Sequence, residues 1–300
     1  MGFFRNTWNF KIMKAAIYSQ KSDLDTFLYL SKFVSELEKR GVQAILYGQM
    51  AEAMQFSKVF ETFDGKEDLR EKKVDLFFTF GGDGTIVNSL LFVQDLEIPV
   101  VGVNTGRLGF LASFTKEEAF LELDRILKGD VKISHRSVIE IISPNNSMFF
   151  PFALNDLTIS RKETTAMITV DSYINNEFLN TFWGDGIIIS TPTGSTAYSL
   201  SCGGPIITPN NDTFVVTPIA PHNLNVRPLI VNDDVEIRLK VKSRVPQYSL
   251  SLDSRLFHME TDTEVILRKA KFQILLVHPP SLSFYETIRQ KLLWGNDKRN

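Results

Sequence analysis

Residues 80 to 85 read FGGDGT, so Gly81, Gly82 and Gly84 enclose one carboxylate, Asp83, directly after the apolar run VDLFFTF. A glycine-rich turn between a buried strand and a helix gathers backbone N–H groups at one point, and the helix N-terminus adds partial positive charge. Such a turn receives phosphate oxygens, with Gly81, Gly82, Gly84 and Thr85 as the cradle. A carboxylate in that nest is no phosphate ligand. It can accept a proton from an attacking hydroxyl, or help to hold a magnesium ion. Phosphoryl transfer to an alcohol needs both tasks done beside a bound polyphosphate, so the motif points to a kinase acting on a hydroxyl. The plainer reading is a tight turn with a helix-capping Asp. Two familiar phosphate motifs are excluded. A dinucleotide fingerprint from Gly82 needs glycine where Val87 stands, and no Gly-Lys-Ser/Thr exists for a P-loop.

Three further stretches carry polar groups suited to a ligand. NTGRLGFLASF, residues 104 to 114, follows the strand IPVVGVN. In doubly wound sheets the carboxyl ends of strands converge on the ligand crevice, which Asn104 and Gly106 would line. A structural turn with LGFL packed beneath it is the alternative. GDGIIISTPTGSTAYSLSCGGPIITP, residues 184 to 209, runs an apolar strand into a dense hydroxyl, Gly and Pro segment. Thr193, Ser195, Thr196, Tyr198, Ser199 and Ser201 offer neutral donors and acceptors that suit a base, a ribose and a pyrophosphate better than a metal. A Ser/Thr-rich linker is the competing reading, and it fits poorly between apolar strands. Asn155-Asp156 in FALNDLTISR is either a turn or, inside a strand-like run, a pair that reads a ribose or an amide. His135, His222, His258 and His278 are scattered, without Cys/His spacing for zinc, and no G-x-S-x-G elbow exists.

The elements that must position these residues follow from periodicity. AAIYS reads as a strand and SDLDTFLYLSKFVSELEKRG as a helix, with Ser22 or Asp23 as N-cap, a stripe of Leu24, Phe27, Leu28, Val34 and Leu37, and Gly41 as the stop. VQAILY is a strand, and residues 50 to 60 hold ambiguous helical patches. VDLFFTF is a strand buried on both faces. TIVNSLLFVQ, IPVVGVN and KEEAFLELDRILKG continue as helix, strand and helix. Alternating strand and helix predict a parallel, doubly wound, Rossmann-like sheet. From about residue 131 the runs become short and β-branched, from VKISHRSVIEIIS to FQILLV, with turns at Asn145-Asn146, Asn175-Asn176 and Asn232-Asp233-Asp234. That texture predicts an all-β, sandwich-like domain. SFYETIRQKLLWG turns helical again, and its apolar side requires cover by the first domain. The expected division is residues 1 to 12 as an extension, 13 to 130 with 281 to 300 as the α/β domain, and 131 to 280 as the β-rich domain.

Bulk properties narrow the class. The chain has 300 residues, 43% of them hydrophobic and 23% charged, which suffices for one or two ordinary soluble domains. A net charge of -2 gives no basic signature for nucleic acid. A single cysteine, Cys202, excludes an internal disulfide framework and fits a reducing, cytoplasmic compartment. No apolar run reaches the roughly 18 residues that span a bilayer. The N-terminus has no continuous apolar region for a signal peptide, and Asn6 breaks the myristoylation pattern.

FGGDGT, NTGRLGFL, ALND and GDGIIISTPTGSTAYSLSCGGPIITP, in this order, resemble the signatures of the NAD kinase family. The resemblance extends from about residue 14 to the C-terminus through PHNLNVRPLIV, SLDS and VHPPSLSFYETIRQKLLWG. GGDGT alone is shared with lipid kinases and resembles phosphofructokinase loops; TPTGSTAYSLSCGGP is far more specific. The resemblance implies transfer of the terminal phosphoryl of ATP, or of polyphosphate, to the 2′-hydroxyl of the adenosine ribose of NAD. It also implies magnesium or another divalent metal held mainly through substrate phosphates, a homodimer or homotetramer, and a site between an α/β and a β-rich NAD-binding domain. Asp83 resembles the general base, with Gly84 beside the substrate. Asn155 and Asp156 resemble the pair that holds NAD through base and ribose groups, the second position varying between Glu and Asp. Asp185 matches an acid reaching the NAD amide end, a reach that a subunit interface would bridge. Thr196, Ala197, Tyr198 and Ser201 match the adenine-side wall, with Thr193 beside them. Arg255 falls where relatives place varied polar residues near the substrate, and Trp183 where they are often polar or basic, so NAD against NADH stays open. A lipid kinase with the same Asp loop is the runner-up, against which the polar TPTGSTAYSLS segment argues. A non-catalytic dinucleotide sensor is a third reading, and it has no need of Asp83.

Overall fold

The computed structural model describes residues 12–21, 23–55, 60–106, 109–144, 150–162 and 166–294. The expected N-terminal extension, apart from Ile12, lies outside them, as do Ser22, Arg107, Leu108 and the Asn145-Asn146 turn. Two compact units divide the chain. One runs to Ser134 and resumes at Ile274, and the other spans His135–Gln273.

The first unit opens with β1 (Lys14–Ser19), α1 (Leu24–Lys39), β2 (Gln43–Tyr47), α2 (Gly48–Ala53), β3 (Glu61–Phe63) and α3 (Lys66–Glu71). It continues with β4 (Leu76–Gly81), α4 (Asp83–Val93), β5 (Val100–Asn104), β6 (Phe114–Thr115), α5 (Lys116–Leu121), α6 (Leu123–Leu127) and β7 (Lys132–Arg136). The second unit holds β8 (Ile139–Ser143), β9 (Phe152–Ala153), β10 (Asp156–Arg161), β11 (Ile168–Ile174), β12 (Glu177–Gly184) and β13 (Gly186–Ser190). A single 3₁₀ turn (Gly194–Thr196) and α7 (Tyr198–Ser201) follow, then β14 (Thr213–Ile219), β15 (Leu229–Asn232), β16 (Ile237–Lys242), β17 (Gln247–Leu252), β18 (Arg255–Glu260) and β19 (Val265–Lys269). The chain closes in the first unit with β20 (Ile274–His278) and α8 (Phe284–Leu292).

The first sheet has the order β3-β2-β1-β4-β5-β20-β7, with β6 beside β5. From β3 to β20 each strand runs parallel to the next along that path. Strand order therefore reverses between β1 and β4, the place where an open parallel sheet leaves a crevice at its carboxyl edge. β4 is buried over its whole length, and its phenylalanines divide between the two faces with the strand's period of two. Phe78 and Phe80 meet Phe33 of α1 with ring centroids 5.2 and 4.9 Å apart. Phe77 faces the other way, toward Phe63 at 5.6 Å and Phe92 of α4 at 6.0 Å. A near-continuous apolar run is what a strand covered by helices on both sides requires.

Local signals account for most helix limits. Asp23 caps α1 by accepting from Thr26 N at 2.9 Å, and Gly41 follows its end at φ +72°. The buried face of α1 is Leu30, Phe33, Val34 and Leu37, whereas Leu24 and Leu28, expected in the stripe, are 70% and 49% exposed. The residues 30, 33, 34 and 37 form the true i, i+3, i+4, i+7 face. The expected helix 116–129 is broken into α5 and α6 at Glu122. β3 and α3 carry too little periodicity to be read from sequence, and the latter starts where Asp68 Oδ2 accepts from Asp64 N at 2.7 Å and Gly65 N at 3.2 Å. FQILLV, read by texture as part of the β-rich half, supplies β20 and pairs in parallel with β5. A short apolar run does not by itself tell a parallel strand from an antiparallel one.

The second unit is two six-stranded sheets, β15-β14-β13-β10-β17-β18 and β12-β11-β16-β19-β8-β9. Their inner faces share one core that includes Ile159, Ile187, Ile189, Phe214, Val170, Leu239, Leu250 and Leu267. Asn175 and Asn176, both at positive φ, make the tight β11–β12 turn that their pairing predicts. Among the described residues no helix is long and apolar enough to cross a membrane. Phe33 has no exposed surface and joins α1 to β4, so Phe33→Ala is expected to cost about 3–5 kcal/mol. Urea denaturation of the variant against the parent measures the loss.

Candidate active site

At the carboxyl end of β4 the chain turns through Gly81 and Gly82 and enters α4 at Asp83. Gly81 is paired with Asn104, so the ends of β4 and β5 lie side by side. This neighbourhood decides what Asp83 does. Its carboxylate does not cap α4. Oδ2 accepts from Phe110 N at 2.6 Å, and Oδ1 accepts from Leu111 N at 3.0 Å and Ala112 N at 3.1 Å. A carboxylate offers about four lone-pair sites, and three are taken, leaving one on Oδ2. Gly109 makes the approach possible, because a Cβ there would overlap the Asp83 carboxylate. The residues after Leu108 in NTGRLGFL were expected to pack or turn; their backbone amides are what matters. A Gly followed by apolar residues beyond a strand end is the available signal, and it does not announce a carboxylate partner.

The proposed phosphate cradle separates into two kinds of residue. Gly82 and Gly84 are exposed at the start of α4, and a Cβ at either would meet open space. Gly81 and Thr85 are buried, with the Thr85 hydroxyl 3.4 Å from Gln20 Oε1 beyond the end of β1. Asn104 is also buried, and its Oδ1 accepts from Gly106 N at 2.7 Å, shaping the turn that carries exposed Gly106.

The second unit holds a separate cluster around Leu154, Asn155 and Asp156, where the chain enters β10. On one side the hydroxyl-rich segment is tied to it: Thr191 N donates to Asn155 O at 2.9 Å and Thr191 Oγ1 to Leu154 O at 2.6 Å. Gly194 packs so closely that a Cβ would overlap the Asn155 carbonyl, which fixes glycine within TPTGS. On the other side lies Asp253, in the tight β17–β18 turn at φ +53°. Its Oδ1 accepts from Asn155 N at 2.7 Å and Asp156 N at 3.3 Å, and Oδ2 from Leu154 N at 3.0 Å. The backbone at Asn155-Asp156 is thus held from both sides while the Asn155 side chain makes no hydrogen bond to another described residue. Asp253 stands within SLDS, where an Asp in a hairpin reads from the sequence as turn chemistry alone.

Asp156 is buried, and its carboxyl is pushed up from 3.8 to about 7, first by burial and then by the neighbouring Asp253, with a hydrogen bond from Thr158 pulling the other way. Burial raises Asp253 as well, against the three amides that favour its charge. Arg255 lies 3.7 Å from Asp253 Oδ2 and donates to the carbonyls of Leu252, Phe150 and Phe152, with its guanidinium over the Phe150 ring. That engagement ties Arg255 to the β9 and β17 ends.

The hydroxyls of residues 193 to 201 divide by burial. Ser195 is buried and bonded to Pro192 O and Ile207 N, and Ser199 is buried against Thr217 Oγ1 at 2.8 Å, so both hydroxyls are internal. Thr196 Oγ1 donates to the carbonyl of buried Thr193 at 3.2 Å. Ala197 is half-buried, while Tyr198 and Ser201 are exposed. Asp185 pairs with Arg161 at 3.1 Å. It sits before Gly186, at the far end of the β10–β13 ladder from Asp156. Five residues of strand, roughly 15 Å, separate those ends. Tyr198 responds to both acids: its hydroxyl is pushed up by burial first, then by Cys202, Asp156 and Asp185. Trp183, half exposed, lies with its ring centroid 4.2 Å from that of His222. Among the described residues no cluster of three or more His, Cys, Asp or Glu side chains could cage a metal.

Residues 22–131 match the ATP-NAD kinase N-terminal domain and residues 154–278 the ATP-NAD kinase C-terminal domain. The chain is 44% identical to the NAD kinase of Christiangramia forsetii over 96% of this chain and 100% of that one. It is 42% identical to the NAD kinase of Flavobacterium johnsoniae, with the same shares covered. Among solved structures it resembles yeast NADH kinase complexed with NADH at 28% identity and a TM-score of 0.84, over 95% of this chain and 89% of that one.

Two expectations follow from the second cluster. Native Asp156 keeps its proton to about pH 7 while the unfolded chain loses it near pH 4, so this residue's contribution to stability falls as pH climbs through that window. Asp156→Asn, always neutral, is expected to melt above the parent at about pH 8 and to lose that advantage toward pH 4, as thermal melts across the range would show. Asp253→Ala strands three amides at Leu154, Asn155 and Asp156. It is expected to lower stability by about 1–3 kcal/mol, as urea denaturation of the variant against the parent would show.

Proposed function

The chain belongs to the NAD kinase family, and we propose that its Asp83 loop and its Asn155–Ser201 residues divide between them the transfer of the terminal phosphoryl of ATP to NAD. The product is NADP, phosphorylated at the 2′-hydroxyl of the adenosine ribose. The observation that carries the proposed mechanism is the held Asp83 carboxylate with one lone-pair site remaining on Oδ2. A ribose hydroxyl is a weak nucleophile at neutral pH, and a fixed acceptor for its proton both orients and activates it. Asp83 is the general base in this reading. The exposed amides of Gly82 and Gly84, at the amino end of the eleven-residue α4, receive the donor's phosphates, with Thr85, Asn104 and Gly106 shaping the cradle.

In the second unit the Asn155 amide and Asp156 carboxylate are the groups for the NAD base and ribose. Tyr198, Ala197, Thr196, Thr193 and Ser201 form the adenine-side wall, and Asp185 reaches the amide end of NAD. Arg255 acts here through Asp253. Magnesium or another divalent ion would be carried mainly by the substrate phosphates, keeping its waters, and would there neutralise charge on the transferring phosphoryl. We place the enzyme in the cytoplasm, in line with its one free cysteine, and expect a homodimer or homotetramer from its family. Polyphosphate is the alternative donor.

The assay is formation of NADP from NAD, magnesium and either ATP or polyphosphate. Failure with both donors would remove the reading. Asp83→Asn should lower kcat by about 10²–10⁴ and leave NAD binding, measured by calorimetry, largely intact.

A further inference from the structure

The grip on Asp83 is only as well aimed as the peptides that supply it, and these lie in a segment without regular secondary structure. Ser113 anchors that segment to the sheet. It is 5% exposed, and its N–H donates to Gly102 O of β5 at 3.2 Å. Its hydroxyl donates to Leu111 O at 3.1 Å and also touches Nδ1 of His278, the last residue of β20. His278 is buried, and its Nε2 lies 2.7 Å from the Ser134 hydroxyl on β7.

Proton counting gives this chain a direction. A hydroxyl has one proton, and Ser113 gives it to the Leu111 carbonyl. With that proton so given, the contact to His278 needs Nδ1–H as the donor to Ser113 Oγ, and a ring neutral in this tautomer would accept at Nε2 from the Ser134 hydroxyl. The order runs Ser134, His278, Ser113, Leu111 carbonyl. That carbonyl shares a planar peptide with the Ala112 N–H, and the two point in opposite directions from one rigid plate. Fixing the carbonyl therefore aims the N–H, which donates to Asp83 Oδ1. Each acceptor in the series also polarises the next donor.

We propose that His278, acting through Ser113, is a positioning residue for Asp83: it sets the Leu111–Ala112 peptide plane and hence the direction in which Oδ2 offers its remaining lone pair. The inference rests on Asp83 acting as the base. A histidine that merely fills its place in the core would leave kcat untouched once the protein folds.

Five variants and one spectrum test it. His278→Leu and Ser113→Ala should each lower kcat about 10- to 100-fold with KM for NAD unchanged. His278→Asn keeps a nitrogen donor near the Nδ1 position and should restore most of that loss. In an Asp83→Asn background, Ser113→Ala should cost nothing further, because the aimed group is gone. A slow Asp83→Asn enzyme together with fully active His278→Leu and Ser113→Ala enzymes would overturn the positioning role and leave the base intact. A fully active Asp83→Asn enzyme would instead overturn the base and the inference with it. Equal losses in the Asn and Leu variants at 278 would also overturn it. Should the variants not fold, the ¹⁵N spectrum of His278 in the parent protein decides: the Nδ1–H tautomer is expected, and the Nε2–H tautomer would break the relay.

Discussion

The Asp83 carboxylate takes three N–H bonds from residues 27 to 29 positions away, and that contact ties the end of β4 to the loop beyond β5. The sheet order makes it possible, since β4 and β5 are neighbours and Gly81 stands beside Asn104. An acid at the amino end of a helix among exposed glycine amides would ordinarily swing to the nearest N–H groups of its own helix. Here a stronger set of donors draws it aside, which leaves the first turn of α4 free for another anion. The apolar packing of Phe33, Phe77, Phe78 and Phe92 on either face of β4 holds the strand from which this geometry is launched.

The second unit uses the same device with the roles exchanged. There the carboxylate, Asp253, is the scaffold, and the amides it gathers belong to Leu154, Asn155 and Asp156. In the first unit the amides are the scaffold and the carboxylate is the group they hold. Both arrangements fix a residue through its local backbone or its own oxygens by several charge-assisted bonds at once. Such bonds are stronger than neutral ones and leave little orientational freedom.

Much of this was legible in the residues. β-strand texture, the glycine loop, the N-cap at Asp23 and the stop at Gly41 all rest on local chemistry, and local chemistry is what a sequence displays. The NAD kinase signatures gave the family before any coordinate. What stayed hidden depends on contacts between distant segments. Gly109 looks like any turn glycine until Asp83 is placed against it. Asp253 looks like a hairpin residue until the β10 entry is laid beside it. Ser195 and Ser199 look like ligand donors, and only burial against Pro192, Ile207 and Thr217 shows that they are internal. Leu24 and Leu28 are apolar and one helical turn apart, yet the buried face is that of Leu30, Phe33, Val34 and Leu37, and which face packs is settled by the sheet beneath.

Asp156, an acid that titrates near 7, is divided about evenly between its two forms in neutral solution. Ribose hydroxyls donate best to the ionised form. A ligand that bound one form of this carboxyl in preference would exchange protons with the solvent, so that its heat of association would change with the ionisation enthalpy of the buffer.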